Sequence, residues 1–163
     1  MSRIADINNL YLRKVEIKDA KTLFHWSNDK EVRRNSLSGK PIVWENHLIW
    51  FNGKLKDENC YFYILTDGTI DYGTIRLDYK EEENGLIISY SIDSRYRKCG
   101  LGTRTLELIE EKSIELSKKN DIQYLIGRVK VSNYASKKCF EKKQYLLIKE
   151  AKEYLVYRKP ILD

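Results

Sequence analysis

Residues 96–104 read YRKCGLGTR, a stretch in which two cations and a cysteine precede two glycines set two apart, after one apolar run and before another. A helix N-terminus presents unpaired amide N–H groups and about half a positive charge, and glycine lets an anion approach that backbone closely. A turn built this way cradles phosphate. It is not a Walker loop, because no GKS or GKT follows the second glycine, and Thr105 stands where a dinucleotide fingerprint needs a third glycine. A plain tight strand-to-helix turn explains the same residues, so the elements around it must decide.

The remaining composition narrows the chemistry. The chain has 163 residues, 42% of them hydrophobic, enough for one core, and is read as one domain over 1–163. Lysine plus arginine number 30 against 24 aspartate plus glutamate. That excess favours anionic partners, yet it is spread along the chain and does not demand nucleic acid. Cys60, Cys99 and Cys139 are odd in number and lack zinc-site spacing, which points to reduced thiols in a cytoplasm and to no metal. The N-terminal stretch has no apolar signal region, and no run approaches the roughly 18 apolar residues of a membrane span. A soluble, cytoplasmic protein without membrane contact is expected.

The elements that position the turn follow from periodicity. Residues 10–14 read as a strand, and 20–29 as a helix with Ala20, Leu23 and Phe24 on one face. Residues 33–41 read as a loop. Trp44, Leu48, Phe51 and Leu55 then recur at helical steps, with His47, Trp50 and Lys54 on the opposite face. CYFYILT (60–66), YGTIRLDY (72–79) and LIISYSI (86–92) are rich in aromatic and β-branched residues and are separated by turn signals, as in an antiparallel meander. A helix over 103–119, a strand over 122–131, a short helix capped by Ser132 or Asn133 and a terminal hairpin complete the order.

With those elements in place, YSIDSRYRKCGLGTRTLELI resembles the acetyl-CoA motif of the GNAT N-acetyltransferases, with Arg97, Gly100 and Gly102 in register. VKVSNYASKKCFEKKQYLL is similar to the family's second signature through Asn133, Ser136, Phe140, Glu141 and Lys142. The order β-α-α-β-β-β-α-β-α-β-β, read independently, is that family's order. The resemblance implies an α/β (α+β) fold, a central mixed, mostly antiparallel twisted sheet flanked by about four helices. It implies acetyl-CoA as cofactor, its pyrophosphate on the amides of Arg97, Lys98, Cys99, Gly100, Leu101, Gly102 and Thr103. The pantetheine would run beside Ser91 and Ile92 like an added strand. Cys99 sits in a loop that works through its backbone, so an acetyl-enzyme role is the lesser reading. Asn133 either contacts the pantetheine or caps its helix.

For proton transfer the family's common acidic and tyrosine positions are Ile87, Arg128 and Phe140 here, which leaves a relay through water or other residues. Tyr90, Ser91, Tyr134 and His47 are the polar groups placed by the motifs to serve. The tyrosines are equally packing candidates, and for His47 a half-exposed helix residue is the leading reading. The first two helices would grip the acceptor, a small-molecule amine. HWSNDKEVR followed by WENHLIWF is similar to the amino-sugar branch that acetylates nucleotide-linked deoxy sugars in pseudaminic acid biosynthesis, and in part to the branch acting on ribosomal protein N-termini. Trp26, Trp44 and Trp50 could stack on a sugar or uracil, and Arg33, Arg34 and Lys40 could pair with a diphosphate. A core Trp44 and solvated arginines are the alternative. A nucleotide-linked amino sugar is the leading acceptor, followed by a protein or peptide amine, then a module that binds acyl-CoA without catalysis. A homodimer is compatible with the fold.

Overall fold

The computed structural model describes residues 4 and 6–162. Seven strands form one sheet in the order β1-β2-β3-β4-β5-β7-β6. They span Tyr11–Lys14 (β1), Cys60–Thr66 (β2), Asp71–Lys80 (β3), Gly85–Ile92 (β4), Tyr124–Lys130 (β5), Leu146–Glu150 (β6) and Tyr154–Pro160 (β7). Every neighbouring pair is antiparallel except β4 with β5, which is parallel. The terminal hairpin is present, with β7 inside the sheet and β6 at its edge.

Alternation along the strands sends side chains to two different covers. Ile75 and Leu77 of β3, Leu86 and Ile88 of β4, and Leu125 and Val129 of β5 meet α4 (Leu101–Ser117) and α5 (Tyr134–Lys142). On the other face Phe62 and Ile64 of β2 meet α1 (Ala20–Ser27) and α3 (Trp44–Lys56). That second cover stops short of β4 and β5, where only Ile87, Ile126 and Val156 form a small cluster.

Two departures from the sequence reading bear on function. Within the expected loop, Arg33 and Arg34 close a short helix, α2 (Lys30–Arg34), whose first amides, those of Glu31 and Val32, are capped by the Asp29 carboxylate. In α3 the buried face takes in His47 as well as Phe51, which are 2% and 0% exposed. Their rings stack at 5.8 Å, and Nε2 of His47 lies 2.8 Å from the Ala20 carbonyl oxygen, so a hydrogen bond across helices fixes the rotation of α3.

Asp93, at the end of β4, ties the sheet to α1. Its carboxylate accepts from Trp26 Nε1 at 2.8 Å and from Arg95 at 2.9 Å. Burial acts to raise its pKa, but the Arg95 guanidinium and amide and the Trp26 indole outweigh it and bring the carboxyl to about 2. A carboxylate depressed by folding stabilises the fold above its unfolded value near 3.9, and loses that contribution as pH falls toward the folded value. Asp93→Asn should therefore cost about 2 kcal/mol at neutral pH. Urea denaturation at pH 7, 4 and 2 should show the gap between variant and wild type closing from pH 4 to pH 2.

Candidate active site

β4 and β5 pair only from Gly85 with Tyr124 to Ile88 with Gly127. β4 runs on to Ile92 and β5 to Lys130, so beyond Ile88 the β4 edge facing β5 has no strand partner. At the last paired residue, Gly127, a Cβ would fall within 2.9 Å of Phe140 Cε2, so the ring of α5 lies directly against the β5 backbone. A cleft of about 500 Å³ opens where the strands part, with Ser89, Tyr90, Ser91 and Ile92 along one wall. A chain laid there can hydrogen-bond to β4 as an extra strand.

At the far end of this wall stands the N-terminus of α4, a helix of 17 residues. Gly100 precedes it at φ 80 and Lys98 adopts φ 60, a left-handed pair that turns the loop under the helix. Among the described residues no side chain caps the helix, and Leu101, Gly102 and Thr103, whose amides open its first turn, line the cleft. Gly102 serves a different end from Gly100: a Cβ on it would come within 2.8 Å of Cys139 Sγ, so it permits close packing of α4 on α5. Open amides beside a free strand edge fit the two halves of coenzyme A, a pyrophosphate and an extended amide-bearing arm.

The opposite wall is α5. Asn133 caps it by accepting from the Ser136 amide at 3.2 Å, and it also lines the cleft. The Tyr90 hydroxyl crosses the cleft to Ser136 Oγ at 3.2 Å. Burial, and then the neighbouring Cys139, push the Tyr90 phenol well above its usual pKa. Tyr134 stands apart, 68% exposed on the outer face of α5 with the Lys137 ammonium over its ring. Cys99 is exposed, directs its sulfur to the Arg97 carbonyl at 3.4 Å and does not line the cleft, whereas Arg97 and Lys98 do.

The acceptor residues expected from the sequence are mostly turned inward. Trp26 is 9% exposed and committed to Asp93, and His47 is a core residue bound to Ala20, so neither reaches the cleft. Trp44 is half-buried edge-on to Phe24 and packs with His47. Arg33 is a structural clamp whose guanidinium donates to the carbonyls of Ser27 at 2.6 Å and Lys40 at 3.1 Å and to Ser36 Oγ at 3.1 Å. Arg34 points outward and pairs with Glu31 at 3.6 Å. Trp26 and His47 face partners 67 and 27 residues away in sequence, which local spacing does not reveal.

Apart from Trp50, which the sequence offered as a stacking residue, residues not singled out from the sequence take their place. Glu31, Val32, Asn35 and Ser36, on and after α2, line the cleft. Their legible signal was Asp29 followed by a charged KEVRR run, the pattern of a capped helical turn. On the open sheet face Arg76 reaches Ser89 at 3.4 Å, pairs with Asp78 at 2.7 Å and lies 5.1 Å over the exposed Trp50 ring. Lys54 closes the network on Asp78 at 2.8 Å. Ile87 belongs to the small apolar cluster, Phe140 is buried, and Arg128 pairs with Glu83, so no carboxylate stands at the family's common acid–base positions.

Comparison with known proteins fits this geometry. The acetyltransferase (GNAT) domain family matches residues 9–143. Among curated proteins no sequence matches the chain. Solved structures with the same fold include a spermidine N-acetyltransferase from Vibrio cholerae in complex with CoA and spermine, at 11% identity and a TM-score of 0.83 over 94% of this chain and 96% of that one. A ribosomal L7/L12 alpha-N-protein acetyltransferase in complex with coenzyme A superposes at 13% identity and 0.75 over 93% and 94%. AAC(6')-Ib in complex with ribostamycin and coenzyme A does so at 15% and 0.77 over 93% of both chains. At these identities the likeness is one of fold. The family match over most of the chain, together with the parted strands and the open helix end, makes this protein a member of the acetyltransferase (GNAT) domain family, an N-acetyltransferase that uses acetyl-CoA.

Proposed function

We propose that the chain, as one acetyltransferase domain, acetylates the primary amine of a nucleotide-linked amino sugar. The observation that carries the acceptor class is the open sheet face beside Ser89, where Arg76 lies over the exposed Trp50 ring and Lys54 stands next to it. An aromatic plane with adjacent cations suits a base or sugar joined to a diphosphate. Arg128 and Lys130 add positive charge along β5. The three free cysteines accord with a reducing, cytoplasmic setting.

Acetyl-CoA supplies an activated acyl thioester. The uncapped amides of α4 hold the anionic end, and the unpaired β4 edge from Ser89 to Ile92 orients the arm and offers amide donors toward a carbonyl. Tyr90, a phenol that is protonated at neutral pH and that burial makes still harder to ionise, stands in the cleft against Ser136 as the proton donor. With Ile87 in the small apolar cluster, the amine proton leaves through water along Ser89 and Ser91.

One feature favours a second reading, a peptide acceptor: Leu37, Val43 and Ile49 are 80%, 55% and 74% exposed on the lobe that carries α2 and α3. Thiol release from acetyl-CoA should be followed with three acceptors: a UDP-linked amino sugar, spermidine and a peptide with a free N-terminus. The sugar nucleotide is expected to turn over fastest. Turnover with the peptide alone would replace the acceptor assignment and leave the acetyltransferase in place.

A further inference from the structure

Arg97, the first residue of the cofactor motif, has its terminal nitrogens occupied by the chain itself. One lies 2.6 Å from Asp29 Oδ1 and the other 2.8 Å from Glu31 Oε2, with the arginine side chain 25% exposed. Those carboxylates belong to the N-cap and first turn of α2, a helix of five residues. A helix so short does not hold itself together in water and depends on its attachments. α2 has three: Arg97 at its N-terminus, the Arg33 clamp to Ser27 and Lys40, and the Lys130 ammonium on the Arg34 carbonyl at 2.9 Å. Its residues Glu31 and Val32, with Asn35 and Ser36 beyond it, also line the cleft.

We infer that the Arg97 side chain is a positioning residue that fastens the α2 wall of the cleft to the cofactor loop, and that it is not a phosphate ligand. The inference rests on the cofactor reading for its meaning, since it leaves the anionic end of the cofactor to the α4 amides and to Lys98, which makes no ion pair among the described residues. A planar guanidinium bridging two carboxylates fixes direction as well as distance, which an ammonium does not. The acceptor side and the cofactor loop are thereby one mechanical unit.

The test compares Arg97→Gln with the pair Asp29→Asn and Glu31→Gln, which removes both charges and keeps an asparagine cap on α2. Hydrogen exchange of the amides in residues 30–36 should quicken about tenfold or more in either background, as expected for losing charge-assisted bonds. Combining all three changes should add little, because both routes break one shared contact. Arg97→Lys should restore part of the protection. Calorimetry should find CoA affinity within about threefold of wild type throughout, since the amides that hold the anion are untouched. A tenfold or greater loss of CoA affinity in Arg97→Gln, with exchange over 30–36 unchanged, would overturn the inference. If wild-type protein bound no CoA, the cofactor reading would fall, and the exchange comparison would still decide whether Arg97 holds α2.

Discussion

Gly127→Ala is expected to cripple the protein, with a stability loss at or beyond the upper end of the roughly 1–3 kcal/mol typical of overpacking and with CoA binding lost. The added methyl would meet the Phe140 ring, within 2.9 Å of its Cε2 atom and closer to its neighbours. Phe140 has nowhere to retreat: it is 2% exposed, stacked on Tyr157 at 5.6 Å and edge-on to Tyr145 at 4.9 Å. The same contact marks where β5 leaves β4, so displacing the ring moves α5 and closes or skews the cleft. Phe140→Leu in the same chain should recover a sizeable part of the stability, because the smaller side chain makes room for the methyl. Urea denaturation of the two single variants and the double gives the coupling directly. Strict additivity would show that Gly127 and Phe140 do not share this space.

Tyr90→Phe is the second large effect, this time on rate. If Tyr90 donates the proton, acetyl transfer should fall on the order of 10²-fold or more, with CoA affinity unchanged. Stability should drop by only about 1 kcal/mol for the hydroxyl pair with Ser136. Because burial and Cys139 raise the phenol above its usual value near 10, the rate should not decline on the alkaline side until above that pH. Full activity in Tyr90→Phe would remove the residue from the proton path and leave water as the donor.

The parts of the molecule governed by local pattern were legible in the sequence. In YGTIRLDY the apolar Ile75 and Leu77 alternate with the polar Thr74, Arg76 and Asp78, and the sheet buries the first pair in its main core and leaves the other three partly exposed. The pattern around Gly100 located the open helix end, because a left-handed residue before a helix depends on chemistry within a few residues. The acceptor side depended on long-range partners. His47 is turned by a carbonyl 27 residues away and Trp26 by a carboxylate 67 residues away, whereas Arg33 is held by nearby backbone oxygens, those of Ser27 and Lys40. An arginine in a polar loop looks the same in sequence whether it meets solvent or two carbonyls. The stripe through Trp44, Leu48, Phe51 and Leu55 was sound, since all four pack in the second core, but His47 joins them through a buried hydrogen bond to the Ala20 carbonyl. α2 escaped notice because five residues carry too little periodicity, and its existence rests on tethers from β5 and the cofactor loop.

The most direct test of the account is residue-level hydrogen exchange with and without acetyl-CoA. The cofactor should slow exchange in Ser89–Ile92, where the β4 edge lacks a partner, and at Leu101, Gly102 and Thr103, where the helix end is uncapped. β1 and β6, at the edges of the sheet, should be unaffected. Protection at both the strand edge and the helix end is the predicted result. Binding without protection of the α4 amides, or no binding at all, would contradict the claim that this cleft is where the protein holds its acyl donor.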